Sequence, residues 1–213
     1  MRKEHFRRKV MKNCSKNYNW SLKCYLIIFI SKGTIIGVKK EVNCMNIQKF
    51  TQKSIEAINN CEKIAYDYGN QEIDQEHFLY SLMTIEDSLI ANLIEKMNID
   101  KDIFLKNIEQ LLNQKNKVSG DVKLYISNDL NKVLVNAEDE AKRMGDSYVS
   151  VEHLMLALIA APNRAIKQLF KTYGINRESF LSVLATVRGN QTVTSDNPEA
   201  TYDALAKYGT DLV

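Results

Sequence analysis

Proline and glycine are scarce in this chain: two prolines and eight glycines among 213 residues. That excludes a turn-rich sandwich or barrel, and collagen-like and low-complexity classes with it. Cysteine is equally sparse. Cys14, Cys24 and Cys44 lie in the first 44 residues, and Cys61 is alone in the remainder. No CxxC spacing occurs, so no zinc site is expected. One cysteine in the body cannot close an internal disulfide, and the body reads as a chain from a reducing, cytoplasmic compartment. The apolar run Cys24–Ile30 is seven residues with Lys23 and Lys32 around it, far short of the roughly 20 residues a membrane span needs. The sequence also lacks GxxxxGK[ST], HExxH and GxSxG patterns. No catalytic residue, no metal and no cofactor are therefore assigned to the chain.

What is present is an ordinary globular composition, 45% hydrophobic and 26% charged, with the charge unevenly spread. Residues 1–44 hold eleven Lys/Arg against two acids, whereas 45–213 hold 18 bases against 24 acids. The basic head has no amphipathic pattern long enough for a domain. It reads as a disordered extension, or as the product of a start codon assigned upstream of Met45, where a far more regular sequence opens. A basic arm for nucleic acid or a membrane surface is the alternative; the reading adopted has neither partner.

From Phe50 to Leu112 apolar residues recur at helical spacing. Thr51, Asp74, Ser88 and Asp100 are expected N-caps. Ile55, Ile58, Ala65 and Tyr66 are expected on the inner face of the first helix, and Ile103, Phe104 and Ile108 on that of the fourth. The pattern then returns 76 residues later: Glu76-His77 as Glu152-His153, Gly69 as Gly145, Leu82 as Leu158, Phe104 as Phe180. Such register marks an internal duplication. One repeat of about sixty residues would have a marginal core alone, so both should share one. The expected fold is all-α, an eight-helix bundle of two four-helix repeats about a pseudo-two-fold axis, with no strand. Gly69, Gly145, Gly174 and Asn98 sit where helices should stop in a left-handed residue. Pro162 fits the first turn of the helix carrying Ala165 and Leu169. His77 and His153 read as packing positions repeated by duplication, not as a metal pair.

The stretches Gly69-Asn-Gln-Glu-Ile-Asp-Gln-Glu-His-Phe-Leu and Gly145-Asp-Ser-Tyr-Val-Ser-Val-Glu-His-Leu-Met resemble the two repeats of the Clp ATPase amino-terminal domain. The tail from Arg188, through Thr192-Val-Thr-Ser-Asp-Asn-Pro to Leu212, resembles the linker of the disaggregase branch of that family. The resemblance covers Met45 to Val213. It implies three segments: a basic extension 1–44, a duplicated domain 45–189, and a linker with a short helix 190–213 leading toward an ATPase module that this chain lacks, as in a fragment, a truncated product or a free-standing domain. It implies a stress-response chaperone part that engages unfolded or aggregated polypeptide for ATP-driven disaggregation by those modules. Full-length relatives use ATP, form hexamers and work with a DnaK-type chaperone system; this chain is expected to be a monomer. Adaptor docking for a Clp protease is the other reading, with a stand-alone peptide-binding module beside it. By resemblance Thr51, Asp146 and Glu152 match positions implicated in chaperone activity. The family also implies a shallow apolar groove, with Leu134 and Leu154 assigned to its lining and Asp146 and Glu152 to an acidic rim. The polar linker would let the domain move.

Overall fold

A computed structural model of the protein describes residues 47–118, 123–189 and 192–198. The basic head 1–44 and the short helix expected after Pro198 lie outside the described residues. A 3-10 turn, Ile47–Lys49, leads into α1, Gln52–Tyr68. Then follow α2 Gln75–Thr84, α3 Leu89–Lys96 and α4 Lys101–Gln114. The second repeat gives α5 Asn128–Arg143, α6 Val151–Ala160, α7 Arg164–Tyr173 and α8 Arg177–Arg188. Helices α2 and α6 stand 76 residues apart at both ends. They are the interior pair: residues 75–79 and 151–158 are buried without a break, so each helix is enclosed on all sides there. The pair is in contact, and the other helices wrap it reciprocally. Helix α1 packs on α6 as α5 packs on α2, and α3 packs on α6 as α7 packs on α2.

The helix ends follow local chemistry. Thr51, Ser88, Asp100, Ser127, Asn163 and Asn176 each accept a backbone N–H of their own first turn. Removing such a cap costs about 1 kcal/mol. Gly174 and Asn98 occupy the same place in the two repeats, with φ of 66° and 60°. Pro162 departs from expectation. Asn163 takes the N-cap and the helix opens at Arg164, which leaves Pro162 before the cap and not in the first turn.

A second departure is informative. Two short parallel pairings are present where none were expected. Glu72–Ile73 (β1) pairs with Tyr125–Ile126 (β2), Ile73 opposite Ile126, and Phe50 bridges Val149. Under the 76-residue offset these are one pairing seen twice, since Phe50 is the counterpart of Ile126 and Ile73 of Val149. Thr51 N–H donates to Val149 O at 3.0 Å, and Ser127 N–H to Ile73 O at 2.8 Å. The segment entering the first helix of each repeat is thus stitched to the segment entering the second helix of the other. Periodicity missed this because two-residue strands carry no alternation to read.

Candidate functional site

The polar chemistry gathers at the N-termini of the two interior helices. In each, the third residue is a histidine whose Nδ1 accepts the N-cap backbone N–H: Asp74 N to His77 at 3.1 Å, Ser150 N to His153 at 3.0 Å. Histidine here takes the part that Glu or Gln plays in a capping box. Each Nε2 meets the residue after the helix-ending glycine, Asn70 Oδ1 at 3.0 Å for His77 and Asp146 Oδ2 at 2.8 Å for His153. Burial pushes the His77 pKa down to about 4, and the charge of Lys115 adds to this against the opposing Asp74.

The glutamates one residue earlier lie at the positive end of the helix dipole. Glu76 Oε1 accepts from Asn163 Nδ2 at 3.0 Å, and Lys115 Nζ lies 2.9 Å from Glu76 Oε2 and 2.9 Å from Asp74 Oδ2. In the second repeat Arg188 supplies the cation. Its Nη2 donates to Asp146 Oδ1, and its Nη1 lies 3.7 Å from Glu152 Oε1. Neither oxygen of Glu152 has a hydrogen-bond partner, and both are buried. Burial alone would raise the Asp146 pKa; bonds from His153, Arg188 and the Val193 N–H outweigh it and hold the carboxyl at about 2. Cys61 is buried, and that burial pushes its thiol up to about 12, so it is a packing residue and not a nucleophile. Among the described residues no three His, Cys, Asp or Glu form a metal-holding group.

All five residues assigned to polypeptide binding have buried side chains. Thr51 is sealed off, with its Oγ1 accepting Ser54 N–H and donating to Ser54 Oγ. The side chains of Asp146 and Glu152 are both 0% exposed, so there is no acidic rim at these positions. Leu134 and Leu154 are core residues, which corrects their assignment to a groove lining. The offset carried the reason: the counterpart of Leu154 is Phe78, itself wholly buried.

The large apolar side chains exposed to solvent are others. Tyr66, Val118, Tyr125 and Ile126 are 41–60% exposed, and so is Ile103 at 54%. Tyr66 and Ile103, expected on inner faces, thus turn outward. Four of these surround the turn where α1 ends. Tyr66 is in its last helical turn, Val118 N–H donates to Gly69 O at 2.8 Å, and Tyr125 N–H donates to Gln71 O at 3.1 Å. A signal for them existed. The counterparts of Tyr66, Ile103, Val118 and Tyr125 are Lys142, Ser179, Thr194 and Lys49. At each of these positions one repeat is apolar and the other polar, a contrast that exposed positions show without monopolising it: Gln75 and Val151, both buried, differ in the same way.

The interlocked helical duplication, with buried ion pairs at its joints, defines a duplicated all-α domain. The Clp repeat (R) N-terminal domain model matches residues 49–173, and the chain belongs to that family. It is 42% identical over 173 residues to the chaperone protein ClpB of Bacillus anthracis, covering 79% of this chain and 20% of that one. With ClpB of Clostridium tetani the identity is 39% over the same shares. The chain spans about a fifth of the length of these curated relatives. Among solved structures, the Hsp104 N-terminal domain of Candida albicans has a TM-score of 0.61 at 23% identity, covering 71% of this chain and 99% of that one. The ClpV N-domain of Vibrio cholerae gives 0.57 at 17%, covering 73% and 94%. At such identities these two establish the all-α fold alone.

Proposed function

We propose that the domain binds exposed apolar segments of unfolded or aggregated polypeptide, as the substrate-engaging part of a ClpB-type chaperone. The observation that carries this is the exposure of the large apolar side chains Tyr66, Val118, Tyr125 and Ile126, on segments that meet around the α1 exit turn. Weak recognition of many chains needs accessible apolar area and adaptable contacts more than one exact motif. Aromatic residues such as Tyr66 and Tyr125 give large contact area with little rotamer entropy to lose. A ClpV N-domain of similar fold, 17% identical with a TM-score of 0.56, is known in complex with a VipB peptide, which supports peptide recognition by this architecture. ATP-driven disaggregation, hexamer assembly and cooperation with a DnaK-type system in the cytoplasm belong, in this reading, to the whole protein. Docking of a dedicated adaptor is the second reading.

The test is titration of a labelled, permanently unfolded protein with the full chain, without nucleotide. Saturable binding in the high micromolar range, weakened at least about fivefold by Tyr125→Ser with Ile126→Ser, supports the proposal; a fivefold change is about 1 kcal/mol. Binding that is absent, or indifferent to both changes, refutes it.

A further inference from the structure

Residues 192–198, expected to run free as a polar linker, lie against the domain. Val193 is fully buried and Pro198 is buried as well. Val193 N–H donates to Asp146 Oδ1 at 2.7 Å, and Val193 O accepts from Ser147 N–H at 2.9 Å. Three residues on, Asp196 O accepts the first backbone N–H of α1, that of Gln52, at 2.8 Å, and the Asp196 carboxylate accepts from Gln52 Nε2 at 3.2 Å. That N–H has no partner within its own helix, so the departing chain supplies one.

The first repeat contains the same device. Lys117, the counterpart of Val193, bridges antiparallel to Asn70, the counterpart of Asp146. There the strapped segment is the connection between repeats and must be held. In the second repeat the neutral Asn70 is replaced by a charged Asp146, whose carboxylate is shared by His153, Arg188 and the strap. Arg188 ends α8 and lies beside the buried Glu152. In this repeat the buried charges of Asp146, Arg188 and Glu152 thus lie where the chain leaves the domain.

We propose that Asp146, Arg188 and Glu152 are positioning residues that latch segment 192–198 to the domain, without touching bound polypeptide. Glu152 holds Arg188, Arg188 and His153 orient the Asp146 carboxylate, and that carboxylate grips the strap by a backbone N–H. The helices do not depend on the strap, so it can open locally while they stay folded. This is independent of the binding surface proposed above.

Amide hydrogen exchange on the full chain, read by NMR, tests the latch. The amides of Val193, Ser147 and Gln52 should exchange at least roughly tenfold more slowly than in unstructured chain, yet faster than those in the middle of α5 and α6. Val193→Asp sets a second carboxylate against Asp146. It should speed exchange at Ser147 and Gln52 by about tenfold or more and leave α5 and α6 protected. Val193→Thr, of the same shape, should give a smaller, strap-confined increase that is readable even if the first variant folds poorly. Unprotected Ser147 and Gln52 amides in the unaltered chain overturn the proposal. So does loss of protection in α5 and α6 together with the strap in Val193→Thr, or weakened binding of unfolded polypeptide in a variant whose strap alone has opened. If the unaltered chain binds no polypeptide, the exchange result still decides the latch.

Discussion

Acidification should weaken the fold through His77, by an amount that can be worked out. Its Nδ1 lone pair is occupied by the Asp74 N–H, and its Nε2–H donates to Asn70. The ring has no site for a second proton unless the helix cap breaks. Lys115, 2.9 Å from both Asp74 and Glu76, adds positive charge nearby. Burial first, and the Lys115 charge after it, lower the pKa from 6.5 to about 4 against the opposing charge of Asp74. The unfolded chain takes up the proton near 6.5 and the folded chain resists it until about 4. His77 therefore contributes its full stability above pH 6.5 and loses it as pH falls toward 4. Each unit is worth about 1.36 kcal/mol, so going from about pH 7.5 to about pH 4.5 should cost about 2.5 kcal/mol through this residue. His77→Gln isolates that share, because glutamine at the third helical position can accept the N-cap N–H and does not titrate. Urea unfolding by circular dichroism at both pH values should show the unaltered chain losing about 2.5 kcal/mol more than the variant. Equal losses would refute the tautomer assignment and the role given to burial.

Other perturbations follow from the same geometry. Leu154→Asn should cost about 2–5 kcal/mol in chemical denaturation, since the side chain is wholly buried, as is its repeat counterpart Phe78; an unfolding transition that does not move would restore Leu154 to the surface. Arg188→Met strands the buried carboxylates of Asp146 and Glu152 and should cost about 3–5 kcal/mol. Gly174→Ala should cost about 1 kcal/mol in a thermal melt, because φ is 66° although nothing crowds the added carbon. Gly174→Asn should cost less, as Asn98 already occupies the matching position. A chain of residues 45–122 alone should show no cooperative unfolding transition, because the partners of Phe50 and Ile73 lie in the other repeat.

The fold was legible because long helices announce themselves. Thr51, Ser88 and Asp100 stand as the expected caps, and Asn98 shares a left-handed turn with Gly174. The exchanged pairing of Phe50 with Val149 was not legible, since it depends on residues 99 apart and is one bridge wide. The candidate site was less legible. Thr51, Asp146 and Glu152 enter it by resemblance alone, and a resemblance does not say which side chains face water. Each has a matching residue in the other repeat, Ser127, Asn70 and Glu76, and such symmetry belongs to a shared frame. Ser127 caps α5 as Thr51 caps α1, and Glu76, like Glu152, is buried. Binding surfaces need not obey the duplication, and the exposed apolar residues Tyr66, Val118 and Tyr125 break it.

The most direct test of the account is to map polypeptide binding by NMR on the isotope-labelled full chain. Adding an unlabelled, permanently unfolded protein should shift the amides of Tyr66, Val118, Tyr125 and Ile126 and leave those of Leu134, Glu152 and Leu154 in place. Shifts centred on Asp146, Glu152 and Leu154, with the α1 exit turn unmoved, would contradict it.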